Sequence, residues 1–167
     1  MSEHVATISW ARNGAVFTDL RYSRAHLWRF DGGVDVPASG CPQLLPGPLS
    51  VAAAVDPEEA FVAALASCHM LWFLSVAAEA GFLVDHYRDD AIGVMGKNDD
   101  GKVAILRVTL RPCVTFGGDT PPSIATHQAM HHQAHEQCFI ASSVKTEVVI
   151  EPTAATGELS GRSGFAP

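Results

Sequence analysis

The sequence predicts an α+β domain with the element order β-β-β-α-β-β-α-β. Three observations carry this. Extended runs separated by Gly, Asn and Asp turns occupy the first third and the middle of the chain. One long charge-poor stretch, DPEEAFVAALASCHMLWFLSVAAEAGFLVDHY (residues 56–87), has the composition and boundaries of a helix. A second, histidine-rich helical stretch precedes a final β-branched run. Strands grouped before helices, rather than alternating with them singly, argue against a parallel doubly wound sheet.

The N-terminal run 5–10 alternates, Asn13-Gly14 is a type I′ hairpin signal, and residues 15–22 are expected to form the return strand. A third extended run, 25–30, carries Arg29 between Trp28 and Phe30, on the opposite strand face from both, and by itself reads as a solvated strand residue. Residues 34–55 hold Pro37, Pro42, Pro46, Pro48, Gly40 and Gly47, so a long loop is expected, with Cys41 inside it. Pro57 suits the first helical position, Glu58 and Glu59 face the positive end of the helix macrodipole, and Gly81 supplies a C-cap. After a short bend, residues 91–97 and 102–116 form a second hairpin across Asn98-Asp99-Asp100-Gly101. Pro121-Pro122 opens the second helix, which reaches Gln137 with Ser123 near its start, and residues 143–151 close the fold as a strand. Residues 1–152 thus form a single domain, and the Gly, Ser and Ala-rich tail 153–167 is expected to be disordered.

From Ala60 to Ala78 the first helix is apolar on every face, which demands burial in a core or a bilayer. Its length nearly meets the requirement for a membrane span. Acidic residues at both ends, the absence of Lys or Arg there, and Ser67, Cys68, His69 and Ser75 within it favour a core. At 47% hydrophobic and 17% charged, the 167-residue chain is apolar for a monomer, and extra burial in an oligomer would explain this. A net charge of −7 without a basic patch disfavours nucleic acid or an anionic membrane as partner. The start MSEHVATISW shows no secretory signal, so a cytoplasmic location is expected, where Cys41, Cys68, Cys113 and Cys138 would be kept reduced. No C-x-x-C pair occurs, which removes the simplest zinc and thioredoxin-type readings.

Two groups could carry chemistry. His127, His131 and His135 recur every four residues on one face of the second helix, with His132 beside them. A metal site is one reading, but no H-E-x-x-H spacing or third ligand accompanies them, and a polar helix face is the simpler one. The second group is a pair of cysteines, Cys68 and Cys138, one on each helix. A peroxide-reducing thiol needs a thiolate, a cation that favours it and a second thiol that resolves the sulfenic acid. Cys68, Arg29 and Cys138 could supply these, as one among several possible cysteine pairings.

The segment DPEEAFVAALASC, followed near the C-terminus by AHEQC, resembles the OsmC/Ohr family of osmotically inducible and organic hydroperoxide resistance proteins, and the likeness covers most of the chain. Phe139 stands where family members often have proline, and Met70, Trp72 and Phe73 mark a divergent subgroup. The resemblance implies a peroxidatic Cys68, a resolving Cys138, Glu58 as the motif glutamate, and a catalytic arginine from the WRFDG stretch, Arg29 in preference to Arg24. It further implies an intertwined homodimer with sites at the interface, a lipoyl-type or other small dithiol (or lipoylated protein) as external reductant, and neither bound metal nor prosthetic group. Arg29 would stabilise the Cys68 thiolate, Glu58 would orient its guanidinium, and Phe61, Leu65, Trp72 and Phe139 would wall an apolar pocket for small organic hydroperoxides. Glu58 and Cys68 are ten residues apart, about 15 Å of rise on a straight helix. Either the helix breaks near residues 64–67 or one group comes from a partner chain. The rival expectations are a non-catalytic dimeric protein that binds a small molecule or metal on the same fold, and a structural protein with two inert thiols.

Overall fold

The structure, a computed structural model, describes residues 2–153. The expected features of the tail beyond them lie outside the described residues. The chain divides into two compact units, residues 1–64 and 65–167, and each is described by itself.

The first unit holds an antiparallel sheet of β1 (Ala6–Ser9), β2 (His26–Phe30) and β3 (Asp35–Ala38), in that order. β1 pairs with β2 in the register Thr7↔Arg29, and β2 pairs with β3 in the register Arg29↔Asp35. The expected return strand at 15–22 does not form. The turn itself does, with Asn13 and Gly14 at φ 49° and 79°. The chain after it folds its aromatic side chains onto Trp10 instead of pairing: Phe17 stacks on Tyr22 at 4.6 Å, Trp10 meets Tyr22 edge-on at 5.3 Å, and the Trp10 indole N–H donates to the Ser23 carbonyl at 2.9 Å. Contacts among the three rings, which stay partly exposed, take the place of what a marginal two-stranded ribbon would gain. The proline-rich segment is likewise more ordered than expected, because it contains β3. Pro37 is tolerated there, where a missing N–H on an outer strand breaks no ladder, and its carbonyl accepts from Val55 N–H at 3.0 Å.

Helix α1 (Pro57–Glu79) begins where Pro57 predicts. Asp56 and Glu59 form a reciprocal capping box: Asp56 Oδ1 accepts from Glu59 N–H at 2.8 Å and Glu59 Oε2 accepts from Asp56 N–H at 3.2 Å. It ends in a Schellman motif. Gly81 takes φ +79°, its N–H donates to Ala78, and Phe82 N–H donates to Ala77 at 2.9 Å.

In the second unit α1 buries one stripe, Leu65, His69, Phe73, Val76 and Ala77, at the spacing of a helix face. Phe73, Val76 and Ala77 form the core with Val114, Met130 and Ala134. Burial of α1 all round, expected from its composition, is not met within one chain: Leu71 is 59% exposed. By length and composition α1 is also apolar enough to cross a membrane. Its buried stripe instead packs on β-strands and a second helix.

Four strands, not two, separate the helices. β4 (Leu83–Asp89) follows Gly81 directly, and β5 (Ile92–Lys97) turns through the expected 98–101 loop into β6 (Val103–Leu110). The single strand expected over 102–116 is split at Arg111. Pro112 lacks an N–H, and Arg111 N–H turns aside to Asp89 Oδ1 at 2.7 Å, so β7 (Pro112–Gly117) leaves the sheet of β6 and pairs with β4. β6 keeps β5 as antiparallel neighbour and takes β8 (Glu147–Ile150) as a parallel one. Helix α2 (Ile124–Gln137) starts just after the Pro121-Pro122 pair expected to open it, with Ser123 as its cap, the hydroxyl accepting from Thr126 N–H at 3.1 Å. A 3₁₀ turn (Ala141–Ser143) takes the first residue of the expected last strand, which begins only at Glu147 as β8.

Asp56→Ala, which removes the buried half of the α1 capping box, is expected to cost about 1 kcal/mol in urea-denaturation stability, whereas Asp56→Ser should retain most of it.

Candidate active site

The second unit brings Cys68 and Cys138 together. Cys68 lies on α1, one residue before the buried His69. Cys138 is the C-cap of α2, its N–H donating to the His135 carbonyl. The Cys68 thiol lies close enough to Cys138 to act on its ionisation. Both are free cysteines, Cys68 half-buried and Cys138 buried. Burial first, and then the neighbouring Cys68 thiol, pushes the Cys138 thiol up to about 11, and the N–H of Ala141, 3.4 Å from its sulfur, opposes this. Two neighbouring thiols, one on each helix, are the arrangement a disulfide requires.

The residues expected to wall a pocket separate into different roles. Leu65 is fully buried core. Trp72 is partly buried on the core cluster and meets the ring of Phe139 edge-on at 5.4 Å, while Phe139 itself is 69% exposed. These two put an apolar surface immediately after Cys138. Phe61 is half-buried on the first-unit part of α1.

The histidine face of α2 corrects the expectation of a solvated polar face. Only His132 behaves so, exposed and 3.3 Å from Glu136. His131 is buried and stacks on Phe73 with ring centroids 4.2 Å apart. Its Nδ1 lies 3.0 Å from Nε2 of His69 on α1, and its Nε2 lies 3.0 Å from Nε2 of His127. Burial lowers His69 to about 4, helped by His135; it lowers His131 to about 3, helped by His127 and His69; and it lowers His127. All three rings are therefore neutral at neutral pH. Among the described residues no three His, Cys, Asp or Glu side chains converge to hold a metal. His69 escaped the sequence reading as a site residue. The signal was present in its four-residue spacing from Leu65 and Phe73, which sets an imidazole in an apolar stripe.

The first unit holds the candidate arginines. Arg29 makes a bidentate pair with Asp35, both contacts at 2.7 Å, in place of the expected pair with Glu58. The pair is exposed, with side-chain accessibilities of 62% and 41%, because β2 turns this face to solvent and sets Asp35 directly opposite. Among the described residues Glu58 enters no ion pair. Arg24 is half-buried. Its guanidinium lies 3.8 Å from the Tyr22 ring centroid and donates to the carbonyls of Leu20 and Tyr22. It lines a cavity of about 490 Å³ with Trp10, Tyr22, His26 and Pro57. His26 is held by Trp28, whose indole N–H donates to Nε2 at 2.9 Å, so Nδ1 carries the proton and donates to the Arg24 carbonyl at 2.7 Å. The irregular spacing of Trp10, Phe17 and Tyr22 left no periodic trace of this cavity. The break in α1 near residues 64–67 is absent: the helix is continuous from Pro57 to Glu79.

The OsmC-like protein family matches residues 50–153. A solved OsmC-like protein of unknown function from Vibrio cholerae is 56% identical, with a TM-score of 0.90 over 92% of this chain and 100% of that one. An organic hydroperoxide resistance protein from Elizabethkingia anophelis is 15% identical, with a TM-score of 0.67 over 92% of this chain and 96% of the other. The organic hydroperoxide resistance protein OhrB of Bacillus subtilis is 21% identical, with a TM-score of 0.62 over 92% and 98%. No curated protein sequence matches the chain. The α+β fold with two helices and several sheets is that of OsmC and Ohr structures, and the chain belongs to the OsmC family.

The neutral histidines have a consequence for acid stability. In the unfolded chain they protonate below about 6.5, while the folded core keeps His69 and His131 neutral down to about 4 and about 3. Their contribution is thus fully present above the unfolded value and is lost progressively as pH falls through this window. Urea midpoints should fall as pH is lowered from neutral toward 4, and His131→Phe should flatten that dependence; an unchanged slope would refute the assignment.

Proposed function

We propose that the protein is a thiol-dependent reductase of organic hydroperoxides, and the observation that carries this is that Cys68 on α1 and Cys138 at the end of α2 lie close enough for one thiol to act on the other. The Cys68 thiolate attacks the terminal peroxide oxygen. An S–O bond forms, the O–O bond breaks, and the alkoxide takes a proton and leaves as the alcohol. The Cys138 sulfur then attacks the sulfenic sulfur, forming the disulfide and releasing water, and an external dithiol of the lipoyl type, free or on a protein, reduces it by exchange. The Trp72–Phe139 surface beside Cys138 suits an organic rather than an inorganic peroxide. Membership in a family that includes organic hydroperoxide resistance proteins supports the same reading.

The working form in this proposal is a homodimer in the cytoplasm. Continuity of α1 leaves a partner chain as the route by which Glu58 and an arginine reach a thiol ten residues along the helix, and the exposed apolar face of α1 around Leu71 requires cover. Arg24 fits the role of peroxide-binding arginine better than Arg29. It is half-buried against the Tyr22 ring and lines an open cavity, whereas Arg29 is solvated and already neutralised by Asp35. The same cavity supports a second reading, a non-catalytic dimer that binds a small apolar ligand in the first unit.

Reduced protein treated with one equivalent of cumene hydroperoxide and then alkylated should show a selective Cys68–Cys138 disulfide by peptide mass. Cys68→Ser should abolish peroxide consumption, and Cys138→Ser should stop the cycle at a trappable sulfenate. Arg24→Met should lower kcat/KM about 100-fold or more, with Arg29→Met near wild type. Unchanged peroxide consumption by Cys68→Ser would overturn the enzymatic reading in favour of the binding protein. Sedimentation should give twice the chain mass.

A further inference from the structure

We propose that the open cavity of the first unit is a binding site for a small aromatic carboxylate, a ligand function that goes beyond the thiol reading and needs neither cysteine. The cavity, about 490 Å³, lies wholly within residues 1–64, and its size suits a small organic molecule. Its lining joins one cation to a cluster of rings, and each half specifies part of the ligand.

The cation is Arg24. Arg29, Arg88, Arg107 and Arg111 each pair with a carboxylate, whereas among the described residues Arg24 has none within reach. Its backbone is fixed on both sides: the N–H donates to the Leu49 carbonyl at 2.8 Å, and the carbonyl accepts from His26 Nδ1 at 2.7 Å. One guanidinium nitrogen, Nη1, is spent on the carbonyls of Leu20 and Tyr22. Nε and Nη2 hydrogen-bond to nothing among the described residues. These two nitrogens form the edge of the fork that grips a carboxylate through parallel N–H···O bonds, and Arg29 holds Asp35 by the same two atoms.

Ser39 supplies a second donor to the lining. It is fully buried, its hydroxyl oxygen accepts from the Val51 N–H at 3.0 Å, and its own proton finds no acceptor among the described residues. His26 offers none, because Nε2 accepts from Trp28 and Nδ1 donates to Arg24. A held cation and a buried hydroxyl with donors to spare call for an anion, which only accepts.

The rings specify the body that carries the anion. Phe17 stacks on Tyr22 at 4.6 Å, and Trp10 lies 5.3 Å from Tyr22 and 5.9 Å from Phe17. Trp10 and Phe17 are still 40% and 48% exposed, so the cluster keeps ring surface for an incoming planar group. Such rings favour another ring, in offset or edge-on contact, over a flexible chain that would lose rotational freedom on binding. Inorganic phosphate has no apolar body to cover them, and a neutral arene has no charge for Arg24. A carboxylate and a peroxide oxygen would contend for the one guanidinium, so in the thiol reading the acid competes with the peroxide.

The test is calorimetric titration of the full-length reduced protein with 2-naphthoate, 2-naphthalenemethanol and octanoate: ring with charge, ring without charge, charge without ring. One 2-naphthoate should bind per chain, about 10-fold or more tighter than either other probe. Arg24→Met should bring 2-naphthoate down to the affinity of the alcohol and leave the alcohol as it was, which shows the cavity intact. Arg29→Met should change neither, and Trp10→Ala should weaken 2-naphthoate while sparing octanoate. Equal binding of acid and alcohol by the wild type, or unchanged 2-naphthoate affinity in Arg24→Met, would overturn the carboxylate site. If Arg24→Met loses the alcohol too, the wild-type comparison decides alone. Octanoate bound as tightly as 2-naphthoate would overturn the aromatic class, and no saturable binding would overturn the site. Each result leaves the thiol chemistry to the Cys68 and Cys138 variants.

Discussion

The second unit depends on the clasp between α1 and α2 made by the His69–His131 hydrogen bond inside an apolar core. Two imidazoles buried without each other would each leave polar nitrogens unpaired, so the pair fixes both the rotation and the sliding of one helix on the other. Phe73 stacked on His131 closes the same layer. Once the buried stripe of α1 is set by Leu65, His69 and Phe73, Cys68 is carried round to the side where α2 ends. There Cys138 is held as the C-cap by its own N–H and by the Ala141 N–H at its sulfur. The thiol pair is a consequence of the clasp.

Environment, more than residue type, separates the two arginines. Arg29 sits on a regular strand with an aspartate in register across from it, so its charge is spent on a solvated pair that contributes little to stability. Arg24 lies beyond the end of the strand, where ring packing replaces pairing and the guanidinium rests on Tyr22. A cation kept among rings stays available to an anionic or polar ligand in a way that an ion-paired one does not.

Much of the fold was legible because its signals are local. Pro57, the two glutamates and Gly81 bound α1 correctly, since caps are decided within a few residues of the helix end. The α2 start and the 98–101 turn followed for the same reason. The missed strand exchange at Arg111 had one local clue in Pro112, but which sheet each half would join depends on partners far along the chain. The absent return strand at 15–22 failed likewise: its alternation was real, and three rings won the competition through contacts that no period describes.

The sequence by itself determined the α+β class, the two helices with their caps, and the two cysteines through which the family is recognised, because helix boundaries and motif spacing are written in short stretches. Only the tertiary structure decided that Cys68 and Cys138 come together, that three histidines stand in series, and that Arg29 is occupied while Arg24 lines a cavity. Those outcomes rest on which side chains are left buried without water, and burial is settled by the packing of distant segments.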